Sequence, residues 1–194
     1  YFHLIHKFQR RTLETGSLFL LPYDIKFYIE VFDLIQKNKE RLQDDFHRLL
    51  RSTETLTTTK DYVQNKMFDW NKNKSQTFHV FEKKSNLLIG HFNIKDIDWK
   101  KKQAELSYFI DVTYEKKGLM SEALLDIEKY CFKDLQLQHI IVRILSSNIP
   151  SVKLVEKCGF KYEGAFFKET SFHNNQISDT HQYGISKDDF DKLI

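Results

Sequence analysis

Residues 111–121, DVTYEKKGLMS, close an alternating apolar stretch and open a helical one, across a turn that holds two lysines and a single glycine. The first turn of a helix leaves backbone N–H groups without partners and carries a partial positive charge. Lys116, Lys117, Gly118, Leu119, Met120 and Ser121 therefore form a predicted cradle for a phosphate group. Further along, Asn148, Pro150 and Ser151 open a second predicted helix, which ends at Cys158, Gly159 and Phe160. Asn148 is placed to cap it, Pro150 suits its first turn, and Gly159 suits a left-handed exit.

The elements that must position these two segments follow from periodicity. Residues 17–21 read as a short apolar strand, and Pro22 with Asp24 starts a helix whose Ile25, Tyr28, Ile29, Phe32 and Ile35 recur at helical spacing. Residues 39–50 continue as a second, heavily charged helix. A Thr-rich turn at 52–59 then precedes a third through Tyr62, Val63, Met67 and Trp70. The period next changes to two: residues 77–82, 87–94 and 103–110 are three strands of an antiparallel meander joined by short polar turns. Residues 118–131 return to helical spacing, 139–145 form a β-branched strand, 150–157 a helix, and 161–168 and 176–184 two closing strands. This order defines an α/β (α+β) chain with a mixed, mostly antiparallel sheet.

With 194 residues and 41% hydrophobic content, the chain is read as one domain over 17–194, preceded by an N-terminal tail or arm at 1–16. The opening YFHLIHKFQRR has no apolar core of signal-peptide length. Thirty basic against twenty-seven acidic residues give a net charge of +3 with signs interleaved, which argues against a nucleic-acid surface. No run of eighteen apolar residues is present, so no spanning helix and no membrane partner is expected. Cys131 and Cys158 fit no zinc spacing and read as buried thiols of a reducing, cytoplasmic setting. The eight histidines are scattered; His79, His91 and His139 read as satisfied interior or surface groups, and no metal is expected. The charged run 96–102 reads as a solvated hairpin.

Two stretches in this order carry a family resemblance. AELSYFIDVTYEKKGLMSEAL (104–124) resembles the "AEIGYWL...GxGxxxEAL" block, and SSNIPSVKLVEKCGFKYEGAF (146–166) resembles "N-x-x-S...L-E-K-x-GF-x-x-EG", of the GNAT superfamily of N-acetyltransferases. The likeness spans about residues 17–185 and is nearest to the RimJ/RimL type, which acetylates ribosomal-protein N-termini. It implies a sheet splayed between the strands ending at Ile110 and Leu145, with the thioester arm of acetyl-CoA in the opening. The pyrophosphate would lie on the amides of residues 116–121, and the pantetheine would pair like an added strand with Phe109, Ile110 and Asp111. Asn148 and Ser151 would face the same arm. By the same resemblance Ser151 donates a hydrogen bond to the departing thiolate, while Glu105 takes the amine's proton, directly or through water. Against these stand a serine satisfying backbone donors and a structural carboxylate.

Two positions depart from the family pattern. Lys116 stands where Gly or Ala is usual, which restricts backbone approach and adds charge for the phosphates. Aligned without gaps, Thr170 takes the place of an auxiliary glutamate, and the adjacent Glu169 points to the other face of its strand unless a bulge re-aims it. Tyr108 and Tyr162 read as core or cleft wall rather than proton donors.

No nucleophile with a neighbouring base argues for a covalent enzyme intermediate, so the implied reaction is direct attack of a primary amine on acetyl-CoA. A protein N-terminus is the implied acceptor; a polyamine, an amino acid or an aminoglycoside is open too, because residues 24–73 set the choice. A catalytically silent acyl-CoA-binding module is the rival from another class. A monomer and a homodimer are both open.

Overall fold

The computed structural model of the chain describes residues 10–170 and 177–193, with the backbone alone for 166–170 and 177–178. The described strands are β1 (Leu13–Glu14), β2 (Leu18–Pro22), β3 (Gln76–Glu82), β4 (Leu87–Asp98), β5 (Gln103–Ile110), β6 (His139–Leu145), β7 (Lys161–Thr170) and β8 (Ile177–Ser186). They lie in one sheet in the order β1-β2-β3-β4-β5-β6-β8-β7. Every neighbouring pair is antiparallel except β5 and β6, which run parallel. The meander expected from the period-two stretches is β3, β4 and β5. Part of the N-terminal arm joins the sheet as β1, where Leu13 is buried.

Between β2 and β3 come α1 (Tyr28–Lys37), α2 (Lys39–Leu42), α3 (His47–Ser52) and α4 (Leu56–Asn71). The single charged helix expected over 39–50 is thus two short ones, broken at residues 43–46, QDDF. Asp side chains compete for the backbone and favour such breaks. The Thr-rich turn expected over 52–59 is confined to residues 53–55, and 56–59 already belong to α4. Thr55 Oγ1 accepts from the Thr58 N–H (3.1 Å) and Thr58 Oγ1 from the Thr55 N–H (3.0 Å), a capping box built from two threonines. Upstream, Asp24 caps a 3₁₀ turn at Ile25–Phe27, so the first α-helix starts later than its periodicity suggests.

After β5 comes α5 (Leu119–Lys129), prolonged by a π-helical turn at Tyr130–Asp134 that places Tyr130, Cys131 and Phe132 in the core. After β6 comes α6 (Ile149–Lys157). It ends as expected on Gly159 at φ 91°, with Gly159 N–H on Glu156 O (3.1 Å) and Phe160 N–H on Val155 O (3.0 Å), a Schellman exit. A last helix, α7 (Lys187–Asp191), was not expected; the Ser186 hydroxyl caps it through the Asp189 N–H (3.1 Å).

Apolar clusters cover both faces of the sheet. Ala104, Leu106 and Ile110 of β5 and Ile140, Val142 and Ile144 of β6 pack with Ala123, Leu124 and Ile127 of α5. On the other face Phe109 joins Val31, Ile35, Leu42, Leu49 and Val63 under α1–α4. A bulge in β4 at Ile89, where Val80 faces Gly90 and Phe81 faces Leu88, resets the alternation. Beyond it Phe92 and Ile94 face α5, while His91, Asn93 and Lys95 turn the other way.

One buried acid stands out in the α5 layer. Glu128 is fully buried, and neither of its oxygens has a hydrogen-bond partner among the described residues; the Tyr108 hydroxyl is in the same position. Burial pushes the Glu128 carboxyl up to about 8, so it is protonated at neutral pH. A folded-state value above the unfolded one means stability is greatest below the unfolded pKa and is lost as pH rises toward 8. The expected slope is up to about 1.4 kcal/mol per pH unit. Thermal melts should therefore fall from pH 6 to pH 8.5, and Glu128→Gln should flatten the curve; an equal slope in the variant would assign the effect elsewhere.

Candidate active site

The parallel β5–β6 ladder runs from Gln103↔His139 to Leu106↔Val142 and stops there. Beyond that point β5 keeps β4 as its partner to Ile110 and β6 keeps β8 to Leu145, so the two strands part. The expected splay is present between the two strands named for it. A cleft of about 870 Å³ opens from it, walled by Ser107 and Tyr108 on one side and by residues 142–145 on the other. Residues 44–46, from the break between α2 and α3, and Tyr62 and Lys66 of α4 contribute to its lining.

At the far end of β5 the chain makes a 3₁₀ turn at Val112–Tyr114, capped by Asp111, and then enters α5 through Gly118. Gly118 adopts φ 78°, and a Cβ built on it would meet nothing within 4 Å, so its outer side is open space. The first i→i−4 bond of α5 runs from Glu122 N–H to Gly118 O (3.1 Å). The N–H groups of Leu119, Met120 and Ser121 are therefore the unpaired first-turn donors, as the cradle requires. Lys116 also lies in the left-handed region, at φ 59°. A glycine would adopt that conformation freely, and lysine holds it at a cost of roughly 1–2 kcal/mol. Lys116 is exposed, and the Lys117 ammonium lies 4.7 Å from the centre of the Tyr114 ring.

The N-terminal helices hold this turn. Lys37 reaches Asp111 (2.7 Å), Asn38 Oδ1 accepts from the Val112 N–H (3.1 Å), and Arg41 reaches Glu115 (3.1 Å). Burial alone would raise the Asp111 carboxyl; hydrogen bonds from Lys37 and Thr113 outweigh it and hold the group below the usual range. Of the three strand residues expected to pair with a ligand, the Asp111 N–H is committed to Ile89 O (2.7 Å) and the Ile110 carbonyl accepts from Arg41. Phe109 buries its ring against Phe46 and His91.

On the opposite wall, Asn148 has two partners. Its Oδ1 accepts from the Ser151 N–H (3.2 Å), capping α6, and its Nδ2 donates to Asp45 Oδ2 (2.7 Å) in the break between α2 and α3. The cap is therefore Asn148, and the Ser151 hydroxyl has no hydrogen-bond partner among the described residues. Ser151 lines the cleft. Glu105 lines it too, but its oxygens are engaged: Oε1 with Lys95 (2.8 Å), directly across on β4, and Oε2 with Arg143 (3.1 Å) on β6.

Sequence reading missed Lys95, Arg143, Asp45 and His91 as parts of this site. A usable signal was present in β4, where His91, Asn93 and Lys95 alternate with Phe92 and Ile94. Polar residues at period two inside a central strand mark a face that meets solvent or ligand. Asp45 gave no such signal, because it reaches the cleft only through the break at residues 43–46. Burial raises its carboxyl above the usual value, and the Asn148 hydrogen bond offsets part of that. The side chains of Glu169 and Thr170 lie outside the described residues; the ladder register does shift between Phe166 and Glu169. Tyr108 stacks on Phe92 as core, and burial pushes its hydroxyl up. Among the described residues no cluster of His, Cys, Asp or Glu is placed to hold a metal.

A family model described as an acetyltransferase (GNAT) domain matches residues 26–161. The uncharacterized N-acetyltransferase YnaD of Bacillus subtilis (strain 168) is 32% identical over 123 residues, which cover 62% of this chain and 71% of that protein. The ribosomal-protein-serine acetyltransferase of Escherichia coli (strain K12) is 26% identical over 155 residues, 79% of this chain and 83% of that protein. Among solved structures, the ribosomal L7/L12 alpha-N-protein acetyltransferase RimL in complex with coenzyme A matches with a TM-score of 0.83 at 19% identity, over 92% of this chain and 99% of that one. At that identity the likeness shows a shared fold.

The two bonds of Asn148 make a stability test. Asn148→Ala removes the cap of α6 and the partner of Asp45, and is expected to cost about 1–2 kcal/mol in urea unfolding. Asn148→Asp restores the cap but meets Asp45 with like charge, so it should recover less than Asn148→Ser; full recovery with Asp would show that the Asp45 contact is absent in solution.

Proposed function

The chain belongs to the acetyltransferase (GNAT) domain family, and on that premise we propose that it acetylates the α-amine of a protein N-terminus with acetyl-CoA. Three observations support the reading, two of them at the cleft and one at the end of β5, where residues 116–121 lie outside the lining of the cleft itself. These are the unpaired N–H groups opening α5, the parting of β5 from β6 after Leu106 and Val142, and the unspent Ser151 hydroxyl on the far wall. The open side of Gly118 admits a diphosphate to the backbone, so the residues present fit the acetyl donor. The names of the relatives with ribosomal-protein activities support the choice of acceptor. A cytoplasmic location goes with a substrate of that kind, and no described helix is long and apolar enough to cross a membrane.

In this reading Lys116, Lys117 and the amides from Gly118 to Ser121 bind the phosphates, and the upper edge of β5 at Phe109 and Ile110 receives the pantetheine once Arg41 releases the Ile110 carbonyl. Bound acetyl-CoA supplies the activated thioester. The amine lone pair forms the new C–N bond as the C–S bond breaks, and Ser151 donates a hydrogen bond to the leaving thiolate. The amine's proton passes to water. With both oxygens bonded to Lys95 and Arg143, Glu105 accepts that proton only through such a water. The demand on it is small: an α-amine is roughly a quarter neutral near pH 7.4, whereas a lysine is neutral about one time in a thousand.

Arg41 on the Ile110 carbonyl and Lys116 at a strained position favour one other reading, a silent module that binds acyl-CoA without turning it over. Mass spectrometry of N-terminal peptides and small amines incubated with acetyl-CoA separates the two, since a silent module yields no acetylated product. Ser151→Ala is expected to lower kcat about 10- to 1000-fold with CoA affinity nearly unchanged; an unaltered rate removes its assigned role. Gly118→Val should weaken CoA binding measured by calorimetry, because its side chain enters the open space and its backbone leaves the left-handed region. Equal affinity would place the phosphates elsewhere.

A further inference from the structure

The floor of the cleft carries a pair of groups that the transfer chemistry does not use. His91 and Asn93 are alternate residues of β4 and share the cleft-facing side. They are only 4% and 5% exposed, and each is held from behind by a buried hydroxyl. Tyr23 Oη lies 2.7 Å from His91 Nδ1, and Thr77 Oγ1 donates to Asn93 Oδ1 at 3.0 Å.

These contacts fix which way the polar atoms point. Tyr23 is buried, and His91 Nδ1 is the hydroxyl's one hydrogen-bond partner among the described residues. If Tyr23 accepted, its own O–H would be sealed in the core with no acceptor, a loss of about 1–3 kcal/mol; it therefore donates. A neutral imidazole that accepts at Nδ1 carries its hydrogen on Nε2. Burial, with Lys66 and His79 near, pushes the ring's pKa down to about 3, so it stays neutral at working pH. With Asn93 Oδ1 taken by Thr77, its amide nitrogen is likewise left as a donor. Neither His91 Nε2 nor Asn93 Nδ2 has a partner among the described residues, yet neither is sealed as His79 Nδ1 is.

The floor thus offers two neutral N–H donors, on residues whose Cα atoms lie roughly 6.5–7 Å apart along the strand. Carbonyl groups two residues apart on an extended chain repeat at the same interval. We infer that His91 and Asn93 are specificity residues, which hydrogen-bond carbonyl oxygens of the acceptor just behind its amine, with Tyr23 and Thr77 as their positioning residues. This rests on the reading of the site as an amine acetyltransferase. A polyamine brings only nitrogen donors and leaves both N–H groups unpaired once water is displaced. Discrimination among amines then lies in the sheet as well as in the helices above it.

Asn93→Asp tests this with little change of shape, since Oδ1 still accepts from Thr77 while a donor becomes an acceptor. At saturating acetyl-CoA, kcat/KM for a serine-initiated tetrapeptide should fall about 10- to 100-fold. KM for acetyl-CoA should stay constant, and the preference for peptide over spermidine should shrink. His91→Gln, checked for an unchanged melting temperature, should act in the same direction. Calorimetric binding of the tetrapeptide to CoA-saturated protein reads the same donors without turnover and should weaken in both variants. In ¹⁵N-histidine spectra His91 should hold the Nε2–H tautomer from pH 5 to 8.

A peptide preference and a peptide affinity unmoved by either variant, or a His91 that titrates near pH 6.5, overturns the inference while leaving the acetyltransferase reading intact. A wild-type protein that acetylates spermidine and no peptide overturns both this inference and the choice of acceptor. A protein that acetylates nothing removes the enzymatic reading, and peptide binding then decides the donors by itself.

Discussion

The site depends on where one ladder ends. Among the described strands β5 and β6 are the only parallel neighbours, and they pair over four positions before parting at Leu106 and Val142. Each keeps its outer partner beyond that point, so the gap exposes just one edge of each strand. Exposed edges need partners from water, side chains or a ligand. Glu105 sits one residue before the split, with 8% of its side chain exposed, and ties β4 and β6 to β5 through Lys95 and Arg143. Removing a nearly buried carboxylate of this kind leaves two cations facing each other, so its position is set by charge as much as by chemistry. Whatever part it takes in proton transfer, it is one of the groups lining the cleft.

The helices before the meander are clamps as well as cover. Lys37, Asn38 and Arg41, spaced along the junction of α1 and α2, each bond a different residue of the turn that follows β5. That turn leads straight into the exposed amides of α5, so the clamps fix the direction in which those amides point. Across the cleft, Asp45 does the same for α6 through Asn148. Residues 37–45 therefore set the spacing between the two helix openings that the sequence first drew attention to.

A good part of this was legible from the chain alone. The capping residue Asn148, the left-handed Gly159, the meander and the strand at 139–145 all follow from local preferences, which act over a few residues and hold in any tertiary setting. The errors have local causes of their own. Threonine is a poor helix former, so a capping box made of Thr55 and Thr58 looked like a turn. Charge alternation in residues 39–50 satisfied a helical pattern, but Asp44 and Asp45 interrupt it. Among the candidate site residues, Ser151 and Gly118 were visible because their neighbours announce helix starts. His91 was missed although its alternation with Asn93 and Lys95 marks a polar face, because a histidine taken alone in an apolar strand looks the same whether its second nitrogen meets core or cleft.

By itself the sequence determined the order of the main strands and of α5 and α6, the helix openings at Gly118 and Asn148, and the types of group available at each. Those properties come from backbone preference and side-chain chemistry, which a residue carries wherever it is placed. Only the tertiary structure decided that Ser151 is relieved of capping, that Glu105 is held between Lys95 and Arg143, and that Tyr23 and Thr77 turn two buried side chains into donors facing the cleft. Each of those outcomes depends on a partner distant in sequence, as with Tyr23 and His91. A hydrogen bond's direction is fixed by its partner's burial, which the fold confers and local pattern does not.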